Sequence, residues 1–122
     1  GNGLASAITG VSVTRGGGGG GFNGDGSGTS NRTHGSAGSG GGGAGGNGLS
    51  SGTANTGGGG GAGYDSNTAG LGGSGVVILS YPAERTITLD PAGTLVASGG
   101  EVIAGSRKYI IIESGTGNVS FA

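Results

Sequence analysis

The sequence predicts two regions and no α-helix: an irregular region of packed polyglycine-II-type helices in residues 1–75, then a small antiparallel β module in residues 76–122. Glycine supplies 38 of the 122 residues, and 32 of these 38 precede residue 76. The second region is instead rich in β-branched residues, which favour strands. The composition changes between Gly75 and Val76, where we place the domain boundary. Uninterrupted glycine runs occupy residues 16–21, 40–43 and 57–61.

The glycine runs predict a lattice of backbone hydrogen bonds. An extended left-handed helix of the polyproline-II type has three residues per turn and no internal hydrogen bonds. Each N–H and C=O must therefore find a partner on a neighbouring helix. Because glycine has no Cβ, neighbouring helices can approach closely, and a side chain at a central position would force them apart. The central lattice glycines are Gly18, Gly19, Gly42, Gly59 and Gly60.

Other interpretations of the glycine-rich region are weaker or excluded. Gly/Ser-rich sequence is commonly a flexible linker, and composition alone leaves that interpretation open. Collagen requires glycine at every third position with abundant proline, and the long runs and two prolines exclude it. Residues 43–48 match a dinucleotide-binding fingerprint by letter, but no predicted strand precedes them and no helix can follow. We therefore predict no cofactor.

The second region predicts five or six short strands. Residues 76–81 form an apolar run that ends at Pro82, as expected for a strand buried on both faces. Residues 90–93 (Asp-Pro-Ala-Gly) predict a type I turn, and Gly99-Gly100 predicts a hairpin between residues 95–97 and 102–104. The other predicted strands are residues 86–89, 108–113 (buried) and 119–121. The charged residues that flank strands are expected to protect sheet edges: Glu84, Arg85, Arg107, Lys108 and Glu113.

The composition also limits the possible functions. The chain has no cysteine and one histidine, His34, which leaves few designs for a metal site or for acid–base catalysis. Asp25 and Asp65 could form a carboxylate pair for glycoside cleavage, but the sequence indicates neither a cleft nor suitable surroundings for one, so we predict no enzymatic activity. A net charge of −1 argues against nucleic-acid binding, and no apolar stretch is long enough for membrane insertion. The chain begins at Gly1, and we expect a processed product or a section of a longer polypeptide.

A quasi-repeat indicates where recognition would occur. Residues 1–6 and 46–51 agree at five of six positions, and each copy leads into a glycine run that ends in an aromatic residue. We expect both aromatics at one end of the lattice, where they either bind a ligand or only cover the lattice. Aromatic faces beside polar groups suit stacking on sugars. The receptor-binding candidates are Phe22, Asn23, Asp25, Arg32, His34, Tyr64 and Asp65.

The chain resembles a family of phage proteins. The glycine-rich segment that closes in residues 72–82 (GGSGVVILSYP) resembles the glycine-rich domain of bacteriophage tail-fibre and receptor-binding proteins, and residues 94–121 are similar to an adjoining β-hairpin module. The resemblance implies a polyglycine adhesin on the virion surface or outside the cell. Its loops would bind a host surface glycan or outer-membrane protein, a role that falls on the loops after Phe22 and Tyr64. Family members usually carry a longer stem, so this sequence would be one module or an assembled subunit.

Two other functions remain open on the sequence. A structural subunit of a filament or virion fibre would pair its sheet edges with other copies of itself or with other fibre proteins. An ice-binding protein would present flat faces of small residues, although the broken period of the glycines disfavours it. The sequence thus predicts a non-enzymatic adhesin first, a filament subunit second and an ice-binding protein third.

Overall fold

The structure is a computed structural model, which describes residues 1–24, 33–46, 48–65 and 68–122. These residues form strands and turns but no helix, and the strands make small antiparallel sheets. The predicted absence of helix and the predicted antiparallel β module are therefore confirmed for the described part of the chain. The strands are β1 Leu4–Ser6, β2 Val13–Arg15, β3 Val77–Pro82, β4 Ile87–Leu89, β5 Val96–Ala97, β6 Val102–Ala104, β7 Arg107–Ser114 and β8 Val119–Phe121.

The chain divides into two compact units, and its N-terminal segment contributes to both. The glycine-rich unit comprises Gly1–Ser6 and Val13–Gly75, and the β-rich unit comprises Ala7–Ser12 and Val76–Ala122. That each part is an independent domain stays a prediction.

The glycine-rich unit contains one strand pair that the sequence does not predict. β1 pairs antiparallel with β2, with Leu4 opposite Arg15 and Ser6 opposite Val13. Strands of three residues are too short to show the period of two by which a strand is recognised in sequence.

Three glycine runs of this unit are bonded to one another through their backbones. We call residues 16–21 run 1, residues 40–46 run 2 and residues 57–63 run 3. The N–H of Gly17 donates to the carbonyl of Gly40 (3.1 Å), and the N–H of Gly20 donates to that of Gly43 (2.8 Å). The residue numbers rise together on both runs, in steps of three. Runs 1 and 2 are therefore parallel and bonded at every third residue.

The other two pairs of runs repeat this pattern. Run 2 donates to run 3 from Gly43 to Gly59 (2.9 Å) and from Gly46 to Ala62 (3.1 Å); run 3 donates to run 1 from Gly59 to Gly17 (2.8 Å) and from Ala62 to Gly20 (2.9 Å). Each run thus donates to one neighbour and accepts from the other. The three parallel runs form a closed cycle of backbone hydrogen bonds.

Outer segments run antiparallel to the three runs. The N–H of Gly38 donates to the carbonyl of Gly18 (2.9 Å), and the N–H of Gly35 donates to that of Gly21 (2.8 Å). Here the numbers fall on one segment as they rise on the other, again in steps of three. Further bonds of this kind join Thr53 to Gly41, Gly70 to Gly61 and Gly73 to Gly58, each at 2.8 Å.

The close approach of these segments requires glycine at most positions. A Cβ would lie 1.9 Å from a backbone carbonyl oxygen at Gly19, 2.2 Å at Gly42 and 2.0 Å at Gly60. The nearest backbone atom is farther away at Gly59 (2.9 Å) and at Gly18 (3.1 Å). Of the five predicted lattice positions, the first three are therefore the least tolerant of a side chain. The alanines that interrupt the runs, Ala44 and Ala62, are exposed.

The β-rich unit is built around β7. β3 pairs with one side of β7, and both β5 and β6 pair with its other side. The predicted hairpin between residues 95–97 and 102–104 is therefore wrong. Ser98 N–H donates to the carbonyl of Ile111 (2.9 Å), so β5 and β6 follow one another along the same side of β7. The hairpin turn lies at Gly105-Ser106, where Gly105 has a φ of 65° that suits a two-residue turn.

The core of this unit lies on one face of its larger sheet. Tyr81, Ile110 and Ile112 are buried, and alternation along the strands places them on the same face. Phe121 from β8 covers this face, with its ring edge-on to Tyr81 at 5.2 Å between centroids. Val77 is 55% exposed. The prediction that residues 76–81 and 108–113 form fully buried strands is therefore wrong, because β3 buries only Tyr81 and β7 buries only Ile110 and Ile112. The predicted turn at residues 90–93 is confirmed by a hydrogen bond from Gly93 N–H to the Asp90 carbonyl (3.0 Å).

The outer edge of β3 is blocked. Ala83 N–H donates to the Ser106 carbonyl (3.1 Å), so the alternation of an antiparallel pair turns the Ser80 backbone away from β7. At that edge Arg107 donates from Nη2 to the Ser80 carbonyl (2.6 Å) and from Nε to its Oγ (2.9 Å). Pro82 offers no N–H. This geometry fits the expectation that Arg107 protects a sheet edge.

Two adjacent glycines test whether the lattice depends on backbone contact. A Cβ at Gly20 would lie 2.0 Å from the Gly35 carbonyl oxygen, whereas a Cβ at Gly21 would meet no described atom within 4 Å. We expect Gly20→Ala to lower the free energy of unfolding by about 3 kcal/mol or more, through overpacking and lost hydrogen bonds. Gly21→Ala should leave it unchanged or raise it by about 0.5 kcal/mol, because alanine restricts the unfolded chain. Denaturant unfolding of both variants measures this, and equal losses would contradict the lattice.

Candidate functional site

The hydrogen-bond register brings the two predicted aromatics to the same end of the parallel runs. Gly20 of run 1 and Ala62 of run 3 are bonded to each other. Phe22 and Tyr64 each follow two residues later along parallel runs, so both lie beyond the same end. Run 2 reaches this end at Gly46, which donates to the Ala62 carbonyl (3.1 Å).

The antiparallel register next to run 1 continues into a ring stack. Gly38 pairs with Gly18 and Gly35 with Gly21, so the same register sets His34 opposite Phe22. The two rings stack with centroids 4.9 Å apart and planes 17° apart. Both side chains are half-buried. The lattice register therefore determines which rings meet.

Asn23 links the two antiparallel segments that carry Phe22 and His34. Its backbone N–H donates to Nδ1 of His34 (3.2 Å), and its side-chain Nδ2 donates to the carbonyl of Thr33 (3.3 Å). An imidazole nitrogen that accepts a hydrogen bond carries no proton, so we assign the proton of neutral His34 to Nε2. Phe22, Asn23 and His34 thus form one cluster with an aromatic face and polar groups.

In the second group of predicted residues, Asp65 is bonded to Thr68. Tyr64 is 37% exposed. One carboxylate oxygen of Asp65 accepts from the N–H (3.0 Å) and the hydroxyl (3.1 Å) of Thr68, and the N–H of Asp65 donates to that hydroxyl (3.2 Å). Asp65 is therefore held against Thr68 by its side chain and its backbone. The predicted residues Asp25 and Arg32 lie outside the described residues.

Leu49 is a residue at this end that the sequence does not single out. Thr53 N–H donates to the Gly41 carbonyl and Ala44 N–H donates to Oγ of Ser50 (2.9 Å), so this outer segment is antiparallel to run 2. The register sets Leu49 opposite residue 45, next to the end of run 2, and its side chain is 71% exposed. The repeated Gly-Asn-Gly-Leu is the sequence signal that could have identified it. We call Phe22, His34, Leu49 and Tyr64 the aromatic end.

A separate polar cluster lies in the β-rich unit. Glu101, in the gap between β5 and β6, accepts at Oε1 from the hydroxyl of Tyr81 and from Ile87 N–H (3.4 Å). Its Oε2 lies 3.8 Å from Nζ of Lys108, which also donates to the Arg85 carbonyl (3.3 Å). Burial and the Glu101 carboxylate raise the pKa of Tyr81 to about 12. The hydrogen bond from Tyr81 lowers the pKa of Glu101. This cluster ties β4 to the sheet and is structural.

The remaining chemistry is sparse in the part of the chain that the structure describes. There, no group of three or more His, Asp or Glu side chains is arranged to hold a metal ion. No helix in that part of the chain has the length and apolar character that a membrane span requires. Comparison of the chain with protein-family models, with curated proteins and with solved structures found no match.

The raised pKa of Tyr81 predicts a loss of stability at alkaline pH. Below about pH 10 the residue is protonated in both the folded and the unfolded chain, whereas between pH 10 and 12 only the unfolded chain releases the proton. The free energy of unfolding should therefore fall across this window. Tyr81→Phe has no proton to release at this position, so its decline should be shallower. Denaturant midpoints between pH 9 and pH 12 measure this, and parallel profiles would contradict it.

Proposed function

We propose that the three runs and their outer segments are polyglycine-II-type helices packed side by side. The period of three in the bonds between runs supports this, because such a helix has three residues per turn. The bonds from Gly17 and Gly20 leave run 1 toward the same neighbour, one turn apart. The bond from Gly18 leaves toward Gly1, on another side. Successive residues thus form hydrogen bonds with different neighbouring segments, as a helix with three residues per turn requires.

We infer that the chain is a non-enzymatic binding module of the adhesin type. The observation that carries this proposal is the common end at which runs 1 and 3 lead into Phe22 and Tyr64. The lattice holds its runs through backbone bonds, so residues just beyond it are presented on a rigid base. Binding residues commonly occupy loops positioned by such a scaffold.

The chemistry of the aromatic end favours a glycan as the ligand. A sugar ring offers C–H groups to an aromatic face and hydroxyls to hydrogen-bonding groups at its edge. Phe22 and Tyr64 supply the first, while His34 and the exposed Asn23 supply the second. The resemblance to phage tail-fibre proteins adds the setting: a host surface glycan or outer-membrane protein, bound from the virion surface or outside the cell.

The alternatives have less support. A filament built by sheet-edge pairing needs an open edge, but Arg107 and Pro82 block that of β3, and β6 is only three residues long. An ice-binding surface needs flat faces of small residues. The outer segments instead project Leu4 (82% exposed), Leu49 (71%) and Leu71 (76%).

Removal of the aromatic rings tests this function. We expect Phe22→Ala and Tyr64→Ala each to weaken binding to immobilised bacterial surface polysaccharides and to whole cells by about tenfold, the fold-change that corresponds to one lost stacking contact of about 1.4 kcal/mol. Leu4→Ala is the matched control, because Leu4 is an exposed apolar residue opposite Arg15, at the start of run 1. Surface plasmon resonance and cell pull-down measure binding. Equal binding by all three variants, with unchanged unfolding, would refute the proposal.

A further inference from the structure

His34 holds the end of run 1 through a single acceptor atom. Its Nδ1 accepts the backbone N–H of Asn23 (3.2 Å), and its ring stacks on Phe22. Edge Cδ2 of the ring faces Gly46, where an added Cβ would lie 4.0 Å away. The described groups that face the imidazole in these contacts, Phe22 and Asn23 after run 1 and Gly46 in run 2, are uncharged. Asp25 and Arg32, the charged residues between Asn23 and His34 in the sequence, lie outside the described residues.

We propose that His34 is a positioning residue that makes ligand binding at the aromatic end depend on pH. The inference rests on the proposed function. Neutral His34 fixes Asn23 and the Phe22 ring in the geometry described above. When His34 takes up a proton, both of its ring nitrogens become donors, and Nδ1 no longer accepts the N–H of Asn23.

Protonation affects the bond of Asn23 to His34 and leaves the bond of Asn23 to Thr33. The bond from Nδ2 of Asn23 to the Thr33 carbonyl contains no titratable group. The bond to Nδ1 of His34 does contain a titratable group, the imidazole. After protonation the N–H of Asn23 and the N–H at Nδ1 point at each other. Histidine is the side chain that ordinarily changes its charge between about pH 5 and 8. The Asn23 backbone and the stacked rings therefore loosen on acidification while the lattice bonds persist.

Binding at two pH values tests this inference. The wild-type chain should bind immobilised bacterial surface polysaccharides at least about fivefold more weakly at about pH 5 than at about pH 7.5, the fold-change of one neutral hydrogen bond. His34→Asn places Oδ1 where Nδ1 stands and does not titrate, so its binding should be equal at both pH values. His34→Phe keeps the ring stack without the acceptor, so its binding should be weak at both. Asp25→Asn and Arg32→Gln remove the charges that lie between Asn23 and His34 in the sequence, and both variants should retain the wild-type pH dependence.

A second readout needs no ligand. The NMR signal of the Asn23 amide should show a pH transition in the wild type and none in His34→Asn. The Gly38 amide, which donates to the Gly18 carbonyl (2.9 Å) in the same pairing, should show none in either. The same pH dependence of binding in wild type and His34→Asn would overturn the inference. An Asn23 amide without a transition would overturn it as well. A clear transition combined with no binding at either pH would instead overturn the proposed function, and with it the binding role of His34.

Discussion

The glycine-rich unit depends on one interaction, the backbone hydrogen bond between neighbouring extended segments. That bond recurs at every third residue, between Gly17 and Gly59 and again between Gly20 and Ala62. Few large side chains are available to bury, so the backbone bonds replace the apolar core of an ordinary domain. Glycine loses much conformational freedom when it is ordered, and only a dense set of shared bonds offsets that loss. The close approach that makes these bonds possible also excludes side chains at positions such as Gly19.

The same register links the scaffold to the candidate site. Pairing of Gly18 with Gly38 and of Gly21 with Gly35 leads directly to Phe22 opposite His34. The ring stack therefore follows from the lattice and needs no separate apolar pocket. The β-rich unit uses a more ordinary arrangement. Phe121 packs against Tyr81, and Glu101 is hydrogen-bonded to both Tyr81 and β4. Backbone bonds define one unit and side-chain packing defines the other.

Much of this fold could be predicted from the sequence, but the pairing of segments could not. The apolar stretch of β7 and the Asp-Pro-Ala-Gly turn have local signals, and the structure contains both. A run of identical glycines carries no information about register, so the stack of Phe22 on His34 had no sequence signal. Gly99-Gly100 fits a hairpin turn as well as it fits the break between two collinear strands. The sequence marked Phe22, Asn23 and His34 individually, and only the structure brought them together.

Hydrogen exchange of individual amides tests the lattice most directly. The N–H groups of Gly17, Gly20 and Gly43 are bonded between runs, whereas those of Gly19 and Gly21 have no partner among the described residues. The lattice predicts slow exchange at the first three and fast exchange at the other two, a pattern set by bonding and not by position in the run. Uniformly fast exchange along residues 16–21 would contradict the lattice and would favour a flexible glycine tract.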